Sequence, residues 1–333
     1  MLSIKVHSAP DVYQIKVPFR NHKLDSTNCY VVRDGDDGQP LIVDTGAYSE
    51  KSAAYLSEAL EELNVDPAQA RFFLTHLHMD HAGLLDRIAP PEAPVFLNED
   101  DYRQLQPDHP ELRYADLEDA LVREGVDAQE THEVVSRRRD RVGMFSSNHR
   151  MSFSKEGDGI QVGSYRFEVV ATPGHTRGHQ ALFEPTSGVL FGGDHILFTL
   201  SPGVGLFLPE GDSVAAYLDS LRKVQGLGVK HLFHSHGGIR YDFEDRIEWL
   251  IGHNRERAGQ VQGIVEANPG ISGYEATKRM DFNVPFDCWD DISRVQKLSL
   301  LEIGAAFLRH LLAEGRISVS EGDDGVRRYR PAD

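Results

Sequence analysis

The stretch Thr75-His76-Leu77-His78-Met79-Asp80-His81-Ala82-Gly83 places four metal-capable side chains within six residues. The apolar run Arg71-Phe72-Phe73-Leu74 leads in and reads as a buried strand, and residues 82–89 lead out with a helix-like pattern. In extended chain, residues two apart point the same way, so His76 and His78 can face one ion. Asp80 and His81, at the turn into the helix, can face a second. Imidazole with carboxylate suits zinc, and also iron or manganese. A single histidine is ordinarily a surface or packing residue. Four donors crowded at one strand end are hard to explain as packing, and such clusters are metal or catalytic candidates.

Three later segments extend the set. Ala171-Thr172-Pro173-Gly174-His175-Thr176 ends a strand in a Pro-Gly turn that presents His175. Phe191-Gly192-Gly193-Asp194-His195 ends an apolar strand in two glycines and a carboxylate. His236 closes a further strand in His234-Ser235-His236-Gly237-Gly238. Each alone is weak, whereas the ordered set is strong. On these residues the chain resembles the metallo-β-lactamase-fold superfamily over roughly residues 10–240. The resemblance implies an α/β fold, an αβ/βα sandwich with its site at the edge between two β-sheets. It implies two divalent metal ions, zinc first, with iron or manganese as alternatives. His76, His78 and His175 would hold one, Asp80, His81 and His236 the other, and Asp194 would bridge them. One departure stands out: the turn before His236 has no early proline and carries a second histidine, His234, which could be an alternate donor or a strand residue.

Bound divalent ions acidify water and polarise a carbonyl or phosphoryl oxygen. Asp80 would then be the catalytic carboxylate, orienting the attacking water or taking its proton. Asp44, in Asp44-Thr45-Gly46, is a candidate partner that fixes a ligand histidine, or a turn carboxylate at a strand end. His179 and His195 are candidates for substrate contact, with packing the commoner role for a lone histidine. The favoured chemistry is hydrolysis of a thioester, lactone or related ester, small or carrier-linked. The alternatives are phosphodiester or RNA cleavage and a non-haem iron redox centre. No flavin-binding or rubredoxin-like segment accompanies the last.

The elements that must carry these residues alternate. Residues 11–18, 28–33 and 41–44 read as strands, the last two joined by the turn Asp34-Gly35-Asp36-Asp37-Gly38. Ser49 to Leu63 has helical apolar spacing, with Ser49 as N-cap. Residues 99–150 break the rhythm as a polar, helical insert with a basic run, Arg137, Arg138, Arg139 and Arg141. That run reads first as a solvated face, and otherwise as a lid for an anionic substrate. Met144, Phe145, His149 and Met151 could line a pocket mouth. Short strands resume from Gly159. Beyond them lie a long helix to Ala267, a short one from Gly273, a helix from Ser293 to Ala313, and a hairpin around Glu321-Gly322-Asp323-Asp324-Gly325. This tail reads as a winged-helix-like domain, 251–333, after a catalytic domain, 1–250. Tails of this kind accompany the glyoxalase II-like and thioesterase-like group and a mitochondrial endoribonuclease.

The 333 residues carry a net charge of -17, which argues against general nucleic-acid affinity. Asp287, Asp290, Asp291, Asp323 and Asp324 make the tail acidic despite Arg327, Arg328 and Arg330. The tail could instead serve as a wall of the pocket or in subunit contact, as in a homodimer. Two distant cysteines make no disulfide framework. The start of the chain lacks an apolar signal core and no stretch is long enough to span a membrane, so a cytoplasmic location is expected.

Overall fold

The computed structural model describes residues 1–19, 24–35, 38–105, 110–139, 149–282 and 288–332. The chain divides by internal contacts into two units. The first holds Met1–Gln106, Gly143–Pro202 and Ser220–Ile247; the second holds Pro107–Val142, Gly203–Asp219 and Glu248–Asp333.

In the first unit, β1 (Ser3–Ser8), β2 (Asp11–Pro18), β3 (Ser26–Arg33), β4 (Leu41–Val43), β5 (Arg71–Phe73), β6 (Pro94–Leu97) and β7 (Arg150–Phe153) lie side by side in that order. Strands β1 to β4 are antiparallel, and β4 to β7 are parallel. A second sheet has the order β12 (His231–His234), β11 (Val189–Gly193), β10 (Gln180–Glu184), β9 (Tyr165–Ala171), β8 (Gly159–Val162).

The central strands of the first sheet are apolar on both faces because both are covered. Alternation along the strand divides their side chains. Cys29, Val31, Ile42 and Phe72 pack with Leu56 and Leu60 of α1 (Glu50–Glu62). Tyr30, Val32, Leu41, Val43 and Phe73 face the other way and meet Phe167, Leu182 and Phe191 of the second sheet. Tyr30 lies 5.3 Å from Phe191 and 5.4 Å from Phe233, ring to ring. Each fully buried side chain of this size contributes roughly 1.5–3 kcal/mol, so the sandwich fixes its strand ends firmly. Ser49 caps α1 as the sequence suggests, its Oγ accepting from the Ser52 amide at 3.0 Å.

The helical reading of 82–89 resolves into two short turns, α2 (Met79–Ala82) and α3 (Leu85–Ile88). They part at Gly83, where a Cβ would stand 2.1 Å from the Met79 carbonyl and 2.8 Å from the Tyr48 amide. His149 is buried with Nε2 at 2.5 Å from Asp86 Oδ1, and Met151 packs against the α1-side core. Met144, Phe145, Arg141 and the side chains of Arg137, Arg138 and Arg139 lie outside the described residues.

The segment from Glu99 is not one insert. α4 (Glu99–Leu105) belongs to the first unit, while α5 (Pro110–Arg123) and α6 (Ala128–Arg139) belong to the second. The division also falls within α7 (Ser213–Gln225) and α8 (Phe243–Ala267). The second unit continues with α9 (Gly273–Lys278), α10 (Arg294–Ala313) and the hairpin β13 (Ile317–Glu321)–β14 (Arg327–Pro331). An isolated bridge joins Ile271 to Tyr329. Glu124, just past α5, receives the Tyr329 hydroxyl at 2.9 and 2.8 Å and Arg327 Nη1 at 2.9 Å. Arg294 of α10 pairs with Glu133 of α6. These long-range ties explain why α5 and α6 group with the tail. Among the described residues, no helix is long and apolar enough to cross a membrane.

Candidate metal centre

Strand direction gathers the donors. β4 and β5 are parallel; β9 and β11 both run against β10, and β12 is parallel to β11. The five strands therefore present carboxyl ends in two matched sets. Asp44 follows β4, His76 and His78 follow β5, His175 follows β9, Asp194 follows β11 and His236 follows β12. Asp80 and His81 sit on α2, which opens immediately after His78.

His76 Nε2 and His175 Nε2 stand 2.9 and 3.0 Å from His78 Nδ1. On the other side, His236 Nε2 is 3.5 Å and His81 Nε2 4.0 Å from Asp80 Oδ2. Asp194 lies between. Its Oδ1 is 3.3 Å from both His81 Nε2 and His236 Nε2, and its Oδ2 is 3.5 Å from His175 Nε2. Donor atoms on a tetrahedral zinc, each about 2.0–2.1 Å from the ion, lie roughly 3.3 Å apart. The spacing of these atoms matches that requirement. Three triads, His76–His78–His175, His76–His81–Asp194 and Asp80–His81–His236, each bring their donor atoms within 4.8 Å of one another.

The donors also point correctly. His81 Nε2 and His236 Nε2 are buried and, among the described residues, in no hydrogen bond, although Asp194 stands near both. Their other nitrogens are anchored: His81 Nδ1 donates to Asp44 Oδ2 at 2.8 Å, and His236 Nδ1 donates to the Ser26 carbonyl at 2.9 Å. A buried nitrogen without a partner is unfavourable. A lone pair held toward a shared centre by a bond on the far side of the ring is what a metal ligand requires. Divalent metal ions fit this donor set.

The electrostatics agree. Burial resists charge on His81, yet Asp194, Asp44 and Asp80 together raise its imidazole well above the ordinary value. Burial, then His81 and its other histidine neighbours, drive His76 well below it. Burial works against the Asp194 carboxylate, but His81 and His236 hold its pKa well below the usual range. A pocket that draws protons onto buried imidazoles is one where a cation can replace them.

Asp44 bonds to His81, one of the candidate ligands. Its Oδ1 accepts from the Thr75 amide at 2.8 Å, and its Oδ2 from Thr75 Oγ1 at 2.9 Å besides His81. A φ of 58°, unusual for a residue other than glycine, turns its carboxylate back toward β5. His179 and His195, the candidates for substrate contact, are both buried. His179 is buried, its Nε2 accepting the Asp194 amide at 3.2 Å and its Nδ1 donating to Thr172 Oγ1 at 2.7 Å. Burial, with His175 beside it, keeps it neutral. His195 is wholly buried, and burial pushes its imidazole down to about 3. His234 Nε2 lies 3.0 Å from the Gly238 carbonyl and joins none of the triads.

Sequence reading missed the supports. Thr27 Oγ1 donates to the Asp80 carbonyl at 2.8 Å, and Thr45 Oγ1 to the His81 carbonyl at 2.8 Å. Asn28 donates to the carbonyls of His234 and Gly237, and Ser235 Oγ to Asp194. Thr27 and Asn28 lie in β3, and Thr45 and Ser235 just beyond β4 and β12, with nothing in the local pattern to name their partners.

Residues 22–236 match the family model of the Metallo-beta-lactamase superfamily. The chain belongs to this superfamily. This superfamily member is 28% identical over 272 residues to "Probable metallo-hydrolase YqjP" of Bacillus subtilis (strain 168), covering 78% of this chain and 82% of that one. It is 47% identical over 75 residues to a hydroxyacylglutathione hydrolase of Thermosynechococcus vestitus, covering 22% of this chain and 28% of the other. The crystal structure of a beta-lactamase domain protein from Burkholderia ambifaria superposes with a TM-score of 0.80 at 26% identity, covering 99% of this chain and 94% of that one. The metallo-β-lactamase fold implies divalent metal ions, and the triads above offer seats for them.

Proposed function

We propose that this superfamily member is a dinuclear metal-dependent hydrolase acting on a carbonyl substrate: a thioester, lactone or related ester, free or carrier-linked. The observation that carries the reading is Asp194, whose two oxygens face two different sets of imidazoles. The hydrolase names borne by two of its relatives support it. Zinc suits the mixed imidazole and carboxylate set, with iron or manganese as alternatives.

His76, His78 and His175 would hold one ion, Asp80, His81 and His236 the other, and Asp194 both. Bound there, divalent ions supply Lewis-acid polarisation of the carbonyl and acidify water near neutral pH. The protein's own residues do the rest. The Asp80 side chain, 28% exposed against 10% for Asp194, faces the solvent side and can orient the attacking water and accept its proton. Asp44 and Ser26 hold the rings of His81 and His236 in one tautomer, with Nε2 inward. No serine, cysteine or lysine nucleophile is needed.

The tail fits a winged-helix-like domain with β13–β14 as its wing. Arg327 is engaged by Glu124, Arg328 by Asp324, and Arg330 by Ser320. Wing cations already committed within the unit favour a structural tail over one that grips nucleic acid. The test is elemental analysis of purified protein beside a panel of a thioester, a lactone, a phosphodiester and a single-stranded RNA. About two ions per chain with thioester or lactone turnover is the expected result. RNA or phosphodiester cleavage alone, or one iron with no hydrolysis, would overturn it.

A further inference from the structure

The two halves of the centre are braced by different parts of the first unit. Asp101, on α4, is fully buried. Its Oδ2 accepts from the Leu77 amide at 3.0 Å and from Thr176 Oγ1 at 2.8 Å, and its Oδ1 from the Gly178 amide at 2.7 Å. Leu77 lies between His76 and His78, and Thr176 follows His175 directly. One carboxylate thus ties the loop after β5 to the loop after β9, the two loops that carry the three-histidine triad. Gly178 makes the approach possible: a Cβ there would stand 2.6 Å from Asp101 Oδ1 and from Asn98 Oδ1.

The other half leans on β3. The Asn28 amide donates to the Ser235 carbonyl at 2.6 Å, and Asn28 Nδ2 to the carbonyls of His234 and Gly237 at 2.9 and 3.0 Å. Tyr30 Oη donates to the His234 carbonyl at 2.6 Å, Ser26 accepts from His236, and Thr27 holds the Asp80 carbonyl. Asp101 touches none of this network in the bonds just described.

We propose that Asp101 is a positioning residue for one half of the centre: it locks His76, His78 and His175 into register, while in the other half β3 holds Asp80 and His236 and Asp44 holds His81. The inference rests on the two-metal reading and assigns the three-histidine half its own brace. An anionic acceptor suits the task because two backbone amides and a hydroxyl, all buried, must be satisfied at once.

The test uses the full chain, stripped by chelator and reloaded with zinc or cobalt(II). Metal content, metal affinity and the cobalt absorption spectrum are read together with circular dichroism. The wild type should hold about two ions. Asp101→Ala should weaken binding at the three-histidine half by roughly 10–100-fold, the usual scale for a residue that orients ligands, and should lose the corresponding part of the cobalt spectrum. Added to His236→Ala, which disables the other half, Asp101→Ala should leave almost no bound ion. Added to His78→Ala, it should change little. Asp101→Asn, which keeps one acceptor oxygen but presents a donor to the Gly178 amide, should fall between. Should Asp101→Ala fail to fold, Thr176→Val removes one of the three bonds alone and should weaken the same half by a smaller factor.

Folded Asp101→Ala with two ions at wild-type affinity overturns this inference alone, as does unchanged affinity in Thr176→Val. Loss from the Asp80–His81–His236 half overturns it too. A wild type that holds fewer than two ions overturns the two-metal reading and this inference together.

Discussion

Asp194 offers each carboxylate oxygen to a different triad, so its removal should be felt on both sides. Asp194→Ala is expected to lose at least one equivalent of metal and nearly all turnover, read by elemental analysis and a thioester assay. Asp44 acts one bond further out. Asp44→Ala removes the acceptor for His81 Nδ1 and for Thr75, and should weaken metal binding by about 10–100-fold with the fold retained. Titration of the stripped protein with zinc checks it. At this scale the sequence was legible where donor type and spacing coincide: the seven candidate ligands lie close together, five just after strands and Asp80 and His81 on α2. It was not legible for Asn28, Thr27 or Asp101. Their partners are distant in sequence, from 24 positions for Asp101 with Leu77 to 209 for Asn28 with Gly237, and nothing in local pattern marks such a bond. His195 is packed inside, whereas its neighbour Asp194 faces the candidate ligands.

Elements obey simpler rules. α2 and α3 break at Gly83, and the 2.1 Å approach to the Met79 carbonyl leaves no room for a side chain. Gly83→Ala should destabilise the protein by about 1–3 kcal/mol, the range for forced overpacking, measured as a fall in urea midpoint. Gly259 and Gly263 of α8 are the opposite case, exposed and with nothing within 4 Å of an added Cβ. Replacing each by alanine should stabilise by up to about 1 kcal/mol. Helix α7 is joined to α10 by a titratable pair: Asp212 Oδ1 caps the Ala215 amide and its Oδ2 takes a bond from His310 Nδ1 at 2.8 Å. That bond raises the His310 pKa above its ordinary value. The stabilisation is therefore complete below the unfolded value of about 6.5 and is lost as pH rises through the folded one. Asp212 is shifted the other way: burial opposes its charge, but His310 and two amides hold its carboxyl below the usual value. Its share persists above about 4 and fades in acid. His310→Gln should flatten the alkaline fall in a series of urea midpoints across pH. Long amphipathic helices and alternating strands were readable from periodicity. The edge strands β1 and β7 and the short β6 were not, because half-exposed or four-residue runs carry too few alternations to register.

For the molecule as a whole, metal and stability are linked, since ions that bind only the folded chain stabilise it by mass action. Free ion at about 100 times the dissociation constant adds about 2.7 kcal/mol per site. Chelation should therefore lower the melting temperature of the wild type by several degrees and leave Asp194→Ala much less affected, as scanning calorimetry would record. That α5 and α6 group with the tail was hidden from sequence, because it depends on contacts such as Glu124 with Tyr329, which join residues far apart along the chain. The first unit's strand polarity has one more use. Five of the seven candidate ligands follow carboxyl strand ends and the other two sit on α2, while the turn between β10 and β11, where Glu184 holds the Thr186 and Ser187 amides, lies at the amino end of β11 and carries none of them. That rim is a natural attachment point: a fluorophore or short affinity peptide spliced in at Pro185 and Thr186, both exposed, would report on the enzyme without standing in the path of its chemistry.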